Sequence, residues 1–402
     1  MDVDRLRAAF PALTSGPSAG LVRFDGPGGS LVPQVVADAV VAAMSAGMCQ
    51  RGTLTAPERL TDATTVGARE AMGDFLGSDP RGIVFGRSMT ALTFDLARTL
   101  AADWGPGDEV VVTRLDHDAN IRPWVVAAER AGATVRWLDF DPATTELDDI
   151  ATVLSDRTRL VAVTAASNLF GSRPDVPAIA AAAHEAGALV HVDVVHLAAH
   201  VSVDRVALGA DVVTCSPYKF FGPHVGVQAA DPAFLETLRP DKLLPSTEAV
   251  PERFELGTLP YEQLAAVTAA VDFIASFATA TASGASRRDR LVSAFGEFGA
   301  HEDALFTRLL VGLDQLSHVR VHGHPASRTP TLLLQVEGVA PQDVYEHLAG
   351  VGVIAPAGSF YAIEASRHAG LGDTGGVRVG LSPYSTTDDL DRLIVGLGRL
   401  GG

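Results

Sequence analysis

The sequence has few cysteines and no long apolar segment, and each shortage excludes a class of protein. Two cysteines, Cys49 and Cys215, among 402 residues are too few for a disulfide framework or a cysteine zinc site, and no metal is expected. The first residues are acidic and lack an apolar core, so they do not resemble a signal peptide. The apolar segment from Val35 to Met48 contains Asp38 and is too short to span a bilayer. A cytoplasmic protein is therefore expected.

Positive charge is also scarce, and this limits the partners of the chain. There are 31 Lys and Arg against 48 Asp and Glu, a net charge of −17, which disfavours nucleic acid and anionic membranes as partners. Because hydrophobic residues make up 47% of the chain and charged residues 20%, the chain is expected to fold rather than to stay disordered.

Short apolar runs alternate with helix-like stretches in the first part of the chain, which predicts an α/β fold with a mostly parallel sheet. The predicted strands are Ile83–Phe85, Glu109–Thr113, Val135–Phe140, Leu160–Ala165, Leu189–Val194 and Asp211–Cys215. The predicted helices between them are Leu92–Ala102, Ile121–Ala131, Leu147–Leu154 and Val176–Ala186. Ligands of such sheets bind beyond the carboxyl ends of the strands, so polar residues that follow the runs are candidates for a site.

Two domains are predicted, with a boundary at the small-residue run Ala278–Ser286, which follows a predicted helix at Tyr261–Phe277. Residues 20–277 are expected to form a large domain. Residues 1–19, together with 278–402, are expected to form a smaller α+β domain. The elements predicted there are helices Leu291–Leu316 and Thr387–Leu400 and strands Thr331–Val336 and Val377–Leu381.

Lysine is the scarcest charged residue, since the chain contains only Lys219 and Lys242. Arginine stays protonated and cannot form an imine, whereas a desolvated lysine can lose its proton and become a nucleophile. Lys242 lies in Arg-Pro-Asp-Lys, a pattern typical of a solvated loop. Lys219 follows a predicted strand and is the candidate nucleophile, although a lysine that only extends its ammonium group into solvent would fit the pattern equally well.

Asp193 lies 26 residues before Lys219, at the end of another predicted strand. A carboxylate at the end of a buried strand needs a partner. The ring nitrogen of pyridoxal 5′-phosphate (PLP) would be one, because an ionised aspartate keeps it protonated and lets the ring accept electrons. An aspartate that caps the following helix is the alternative interpretation.

Several motifs, taken in order, resemble the class V aminotransferase family. They are Phe10–Leu13, Phe24–Gly26, Asp116–Trp124, Val190–His196, Gly209–Val213, Ser216–Lys219, Gly222–Pro223, Arg253–Thr258 and Tyr384–Thr386. Ordered motifs are more specific than any single one, and these cover nearly the whole chain. The family is the branch of PLP fold type I that includes cysteine desulfurases, selenocysteine lyases, kynureninases and isopenicillin N epimerase-like enzymes.

The resemblance implies a fold, a cofactor and a substrate class. The fold would be a large domain with a mostly parallel seven-stranded sheet flanked by helices, plus a smaller α+β domain built from both termini. The cofactor would be PLP and the substrate an amino acid.

The resemblance also implies roles around the cofactor ring. Lys219 would form the Schiff base, and Asp193 would pair with the pyridine nitrogen. His117 would stack on the ring and act as the second catalytic residue. Asn168 and His196 would reach the phenolic oxygen, although the family usually has glutamine where His196 stands.

A second group of residues is expected to hold the phosphate. These residues are Met89, Thr90, Ser216, Tyr218 and Thr258. Ser88 precedes a predicted helix, whose N-terminus offers N–H groups to an anion, and an ordinary N-cap role for Ser88 is compatible with this. Desulfurases have histidine at the position of Tyr218. The family threonine at the position of Thr258 crosses a dimer interface, so a homodimer is implied by the resemblance alone.

Arg378 is the expected substrate-binding residue. It lies within the apolar strand Val377–Leu381, where an arginine is costly unless it meets a carboxylate. Its fork suits bidentate recognition of a carboxylate, and the family places its substrate-carboxylate arginine here. A structural salt bridge is the alternative.

The resemblance ends at the loop that carries the catalytic cysteine in desulfurases. At the position of that cysteine this chain has Tyr361. A phenol cannot carry a persulfide, so Tyr361 is expected to face the substrate instead. The favoured function is a desulfurase-like lyase that eliminates a group from the β-carbon without a persulfide. An aminotransferase or epimerase on the same cofactor is the alternative, and a non-catalytic binding or assembly protein of this fold is an alternative of another class.

The two-lysine count leads to a direct test of the cofactor attachment. Borohydride reduction followed by peptide mass mapping is expected to place a pyridoxyl group on Lys219, because only that lysine follows a strand in a matching motif. Lys219→Ala should lose the group and Lys242→Ala, the matched control, should keep it. A pyridoxyl group on Lys242 would refute the assignment.

Overall fold

The computed structural model describes residues 1–279, 281–282 and 284–401. Helices α1 to α13 are, in order, Val3–Ala8, Pro11–Thr14, Gln34–Ser45, Ala56–Leu76, Met89–Ala101, Arg122–Ala131, Val176–Glu185, Pro232–Thr237, Tyr261–Ala275, Arg287–Asp314, Pro341–Gly350, Ile363–His368 and Thr387–Gly398. Strands β1 to β13 are Val22–Arg23, Ile83–Gly86, Glu109–Thr113, Thr134–Leu138, Thr158–Thr164, Leu189–Asp193, Val212–Cys215, Gly226–Ala230, Val319–His322, Thr331–Val336, Val353–Ile354, Ala357–Gly358 and Gly376–Gly380.

The large sheet has seven strands in the order β2-β8-β7-β6-β5-β3-β4. Strand β8 runs antiparallel to both of its neighbours, and the remaining pairs are parallel. The predicted mostly parallel seven-stranded sheet is therefore confirmed. The predicted strands agree with the observed ones to within one or two residues, but β8, which is short and rich in small residues, was not predicted.

Helices cover both faces of this sheet, as its side-chain pattern requires. Within β3, Val111 packs in the cluster that includes helices α4, α7 and α9, whereas Val110 and Val112 pack in the cluster that includes α5 and α6. Successive side chains of a strand point to opposite faces, so an unbroken apolar strand fits a sheet that is buried on both sides.

The helix predicted at Leu147–Leu154 is wrong. The structure has a 3-10 turn at Ile150–Thr152 instead. Leu147 forms an isolated β-bridge with Phe140, and the Asp149 carboxylate accepts a hydrogen bond from the Ala151 N–H. The apolar spacing of this segment therefore reflects a turn pressed onto the core rather than one face of a helix.

A smaller antiparallel sheet, in the order β12-β13-β10-β9, forms a second unit with α10, α11 and α13. The domain boundaries remain a prediction, and the packing near them is mixed. Leu6 and Phe10 join the hydrophobic cluster of the large sheet, whereas Val22 and Phe24 join that of the small sheet. Helix α10 contributes to both clusters. Residues 280 and 283, within the predicted boundary run, lie outside the described residues.

Within the described part of the chain, no helix is long and apolar enough to cross a membrane. Within the same residues, no group of three or more His, Cys, Asp and Glu side chains is arranged to hold a metal ion.

A buried ion pair joins α4 to the edge of the large sheet. Arg69 donates to both carboxylate oxygens of Glu255, at 2.9 and 2.8 Å, and also to the Ile83 carbonyl. Glu255 in turn accepts from the Phe85 N–H at 2.9 Å. Since both side chains are buried, the Glu255 charge depends on Arg69 for compensation, whereas Arg69 also contacts Glu252 at 3.5 Å.

Arg69→Met is expected to lower the free energy of unfolding by about 3–5 kcal/mol, because the Glu255 charge would be left buried without a partner. Urea unfolding followed by circular dichroism measures this. Arg81→Met is the matched control, since the pair of Arg81 with Asp79 is exposed and its loss should leave stability unchanged. A loss below about 1 kcal/mol for Arg69→Met would contradict the prediction.

Candidate active site

A cavity of about 550 Å³ is lined by residues that follow strands β3, β5, β6 and β7 and by residues of the smaller unit. All predicted site residues except Thr258 line it, namely Met89, Thr90, His117, Asn168, Asp193, His196, Ser216, Tyr218, Lys219, Tyr361 and Arg378. Thr258 is exposed and lies outside this cavity. Its predicted contact belongs to a second copy of the chain, so it stays a prediction, as do the roles of the others.

The cavity also includes residues that the sequence analysis did not single out. They are Pro27, Phe94, Asp118, Arg122, Thr164 and Phe360, among others. Asp118 and Arg122 lie within the quoted motif Asp116–Trp124, so that motif carried a signal for them. Phe94 and Phe360 have no such signal, because an apolar ring in a helix or loop usually indicates packing.

Asp193 lines the cavity. It is the last residue of β6, where the sheet register aligns it with Thr164 of β5 and Thr214 of β7. Burial raises its pKa to about 6, although the Val195 N–H and the positive charge of Lys219 oppose the rise. Within the described residues no side-chain cation forms an ion pair with it, so this carboxylate has room for a cationic partner.

Asp116 lies directly before His117 and is also fully buried. It accepts hydrogen bonds from the Thr113 hydroxyl, the Asn120 amide and the Thr164 N–H. Burial raises its pKa to about 8, although the hydrogen bonds from Thr113, Asn120 and Thr164 oppose the rise. These hydrogen bonds tie the ends of β3 and β5 together.

Lys219 ends a short 3-10 turn that follows β7, and its Nζ donates to the Pro27 carbonyl. Burial lowers its pKa to about 7, with a further lowering from the charge of Arg378 and an opposing effect from Asp193. A large fraction of this amine is consequently neutral near pH 7. A neutral amine is the nucleophilic form that imine formation requires.

His117 and Tyr361 form a wall of two nearly parallel rings, with centroids 5.5 Å apart and an interplanar angle of 27°. His117 Nδ1 accepts from the Ala119 N–H at 3.0 Å. Burial lowers the pKa of His117 to about 4, helped by the charges of Lys219 and Arg378. The ring is therefore neutral, and its remaining proton is on Nε2.

Tyr361 is 77% exposed and comes from a strained loop. Phe360 and Tyr361 have φ values of +53° and +59°, in the left-handed region that disfavours side chains. Two contacts hold this conformation: Asn168 Nδ2 donates to the Phe360 carbonyl at 3.0 Å, and the Asp118 N–H donates to the Tyr361 carbonyl at 2.7 Å. The loop is thus fastened to residues of the large unit.

Arg378 projects from β13 with an open hydrogen-bonding edge. Its Nη1 donates to the Asn168 carbonyl at 3.0 Å, and its guanidinium carbon lies 3.8 Å from the centroid of the Phe360 ring. Its Nε is buried and has no hydrogen-bond partner among the described residues. Burial lowers its pKa to about 9, so it stays charged at neutral pH. No carboxylate of the described residues forms a salt bridge with it, which disfavours the structural alternative.

The first turn of α5 borders the cavity. Met89 and Thr90 line the cavity there, and Ser88 caps the helix by accepting from the Ala91 N–H at 3.1 Å. The approach of β8 depends on Gly226, since a Cβ at that position would lie 2.5 Å from the Met89 nitrogen. The first N–H groups of a helix lack intrahelical partners, and they attract anions such as phosphate.

These features fit PLP. The Asp193 carboxylate can meet a protonated ring nitrogen, the Lys219 amine can form the imine, and the N-terminus of α5 can take the phosphate. Asn168 Oδ1 is a further buried polar atom without a partner at the cavity.

Known sequences show to which family the chain belongs. The chain matches the family described as Aminotransferase class-V over residues 22–393. It is 34% identical over 404 residues to an uncharacterized protein of Mycobacterium tuberculosis, covering 100% of this chain and 99% of that protein. It is 30% identical over 409 residues to a probable cysteine desulfurase of Pseudomonas aeruginosa, covering 98% of this chain and 97% of the relative.

The comparison with solved structures supports the same fold. The cysteine desulfurase CsdA of Escherichia coli superposes with a TM-score of 0.84 at 25% identity, covering 99% of this chain and 98% of the other. A C-DES mutant with glycine covalently linked to its PLP cofactor superposes with a TM-score of 0.78 at 20% identity, covering 98% of each chain. The chain therefore belongs to the class V aminotransferase family and is a PLP-dependent enzyme of fold type I, a lyase or a transferase.

Proposed function

We propose that this enzyme removes a group from the β-carbon of a cysteine-like amino acid by β-elimination, without forming a persulfide on the protein. The observation that carries the proposal is that Tyr361 lines the cavity. By the family resemblance, its loop corresponds to the one that carries the thiol in desulfurases. Among the described residues that line the cavity there is no cysteine. Burial raises the pKa of the Cys215 thiol within β7, and Cys49 is exposed outside the cavity.

The chain's own residues supply the proton transfers and the binding contacts. PLP, when bound, supplies the electron sink that stabilises negative charge at Cα. Lys219 Nζ, with its pKa near 7, is suited to take the α-proton. Asp193 holds the proton of the ring nitrogen, and the neutral His117 ring covers one face of the cofactor without adding charge.

Two residues hold the substrate, and the elimination needs no co-reactant other than water. Arg378 binds the α-carboxylate through its open edge, and Tyr361 shapes the space around the β-substituent. For cysteine, the α-proton and the C–S bond are lost, and cysteine and water yield pyruvate, ammonia and hydrogen sulfide. No oxidant or thiol acceptor is needed.

The same residues would also serve transamination or epimerisation, which differ in what happens after the α-proton leaves. Product analysis separates them: pyruvate indicates elimination, a pyridoxamine form indicates transamination, and solvent deuterium at Cα alone indicates epimerisation. The convergence of Lys219, Asp193, His117 and Arg378 on one cavity argues against a non-catalytic binding protein. We further propose a homodimer in which Thr258 reaches the phosphate of the other copy.

Incubation with cysteine is expected to leave no sulfur adduct on the protein, because no thiol faces the cavity. Intact-protein mass spectrometry after alkylation checks this. Tyr361→Phe should lower turnover by no more than about a hundredfold, the low end for loss of a general acid. Cys49→Ser is the matched control and should leave turnover unchanged. A persulfide mapped to Cys49 would overturn the proposal and indicate a desulfurase with a relocated nucleophile.

Arg378→Lys is expected to raise KM for an amino-acid substrate by about 10- to 100-fold, since a lysine cannot reproduce the two-pronged contact and a charged hydrogen bond contributes about 1.5–3 kcal/mol. Cofactor absorbance should stay normal. Steady-state kinetics with the amino acid and with the matching amine that lacks the carboxylate provide the test. If the wild type uses both compounds equally well, Arg378 does not bind the carboxylate.

A further inference from the structure

The cavity contains a second arginine, Arg122, which the proposed reaction does not use. Arg122 is the first residue of α6, and it lines the cavity together with Phe94, Asp118 and Tyr361. The α-carboxylate of the substrate is assigned to Arg378. The second guanidinium is therefore free to recognise another part of the substrate.

Arg122 is connected to Tyr361 through a single residue. Helix α5, which carries Phe94, contacts both α6 and the 3-10 turn Asp118–Asn120. The Asp118 N–H donates to the Tyr361 carbonyl at 2.7 Å, and the Asp118 carboxylate accepts from Arg122. Asp118 thus joins Arg122 to the residue that is proposed to lie beside the β-substituent.

The other arginine contacts the preceding residue of the same loop. The guanidinium carbon of Arg378 lies 3.8 Å from the centroid of the Phe360 ring. Consecutive residues of one loop therefore contact Arg378 and the partner of Arg122. An amino acid whose α-carboxylate meets Arg378, and whose β-substituent lies at Tyr361, would extend toward Arg122.

Asp118 occupies only one edge of the Arg122 guanidinium. Arg122 Nη2 donates to Oδ1 at 3.1 Å, and Nε lies 3.5 Å from Oδ2. Within the described residues, Nη1 makes no hydrogen bond. A guanidinium carries five N–H donors in a fixed fork, so the edge formed by Nη1 and Nη2 keeps two donors available. Two parallel donors are the arrangement that binds a carboxylate bidentately.

The surroundings of Arg122 favour a second anion. The side chains of Arg122 and Asp118 are 43% and 29% exposed. Because ion pairs at such exposure are weak, Asp118 orients the guanidinium without sequestering it. Helix α6 begins at Arg122, and the positive end of its dipole adds to the attraction. The net charge of −17 is screened beyond about 8 Å at physiological ionic strength, so the local groups decide.

We propose that Arg122 is a specificity-determining residue that binds an anionic group, such as a carboxylate, at the far end of the substrate's β-substituent. The inference rests on the proposed elimination, in which that substituent lies at Tyr361. The substrate class is a cysteine whose sulfur carries a short chain ending in a carboxylate. For S-carboxymethylcysteine, the α-proton and the C–S bond are lost, the leaving thiolate takes a proton, and with water the products are pyruvate, ammonia and mercaptoacetate.

Two pairs of S-substituted cysteines test this role with the holoenzyme. S-carboxymethylcysteine and S-carboxyethylcysteine are each compared with the neutral amide of nearly the same size. The apparent Kd is measured from the initial change in the visible absorption of the cofactor, and KM from the release of pyruvate. In the wild type, at least one acid should bind about tenfold more tightly than its amide, which corresponds to about 1.4 kcal/mol.

Arg122→Gln should reduce the ratio between acid and amide to about one. The loss should appear in KM, because Arg122 binds the substituent and takes no part in the proton transfers. Arg122→Lys should keep part of the preference, since the positive charge remains while the two-pronged contact is lost.

Arg130→Gln is the matched control. Arg130 is exposed in the last turn of α6, and its substitution changes the net charge by the same amount, so the preference for the acid should stay as in the wild type. Equal binding of acids and amides by the wild type, or a preference that survives in Arg122→Gln, would overturn the inference.

Binding and product release allow this inference and the proposed reaction to fail separately. If the acids bind more tightly in an Arg122-dependent way but no pyruvate forms, Arg122 keeps its role and the elimination is refuted. If pyruvate forms equally well from acids and amides, the elimination stands and the role of Arg122 is refuted.

Discussion

A carboxylate buried at the end of the central strand is the constraint on which the rest of this site depends. Asp193 has lost the solvation that stabilises its charge, and the Val195 N–H and the nearby Lys219 offset that loss only partly. Burying a charge without a partner is costly. The parallel strands on either side hold the group in place. In the proposed function, the ring nitrogen of PLP is the positive partner of this carboxylate.

The electrostatic balance of the cavity follows from this arrangement. Lys219, His117 and His196 are buried close to Arg378, and both burial and the like charges favour their neutral forms. Arg378 stays charged because an arginine loses its proton only at high pH, even after burial lowers its pKa to about 9. Of these four groups, it alone remains a fixed cation at neutral pH, which suits it to an anionic substrate group, while the neutral groups remain available for proton transfer and hydrogen bonding.

Local patterns predicted some elements well and others poorly. Strand β10 was predicted with its observed bounds because it contains three consecutive leucines followed by a valine two residues later. The predicted helix at Leu147–Leu154 was wrong because its leucines contact the core from a turn. Helix α4 was not predicted, although it starts with a capping box formed by Thr55 and Glu58. The strand β8, rich in small residues, is specified by its neighbours in the sheet rather than by its own propensity.

The sequence by itself determined the chemistry that this chain can perform. Two lysines, an aspartate at a strand end and an ordered set of motifs were enough to predict the cofactor, the fold and eleven of the 22 residues that line the cavity. Only the tertiary structure decided how those residues are charged and oriented, as the open edge of Arg378 and the lowered pKa of Lys219 illustrate. The reason is physical: residue types set which protons and charges are possible, whereas pKa values and tautomers depend on burial and on partners that lie far apart in the chain.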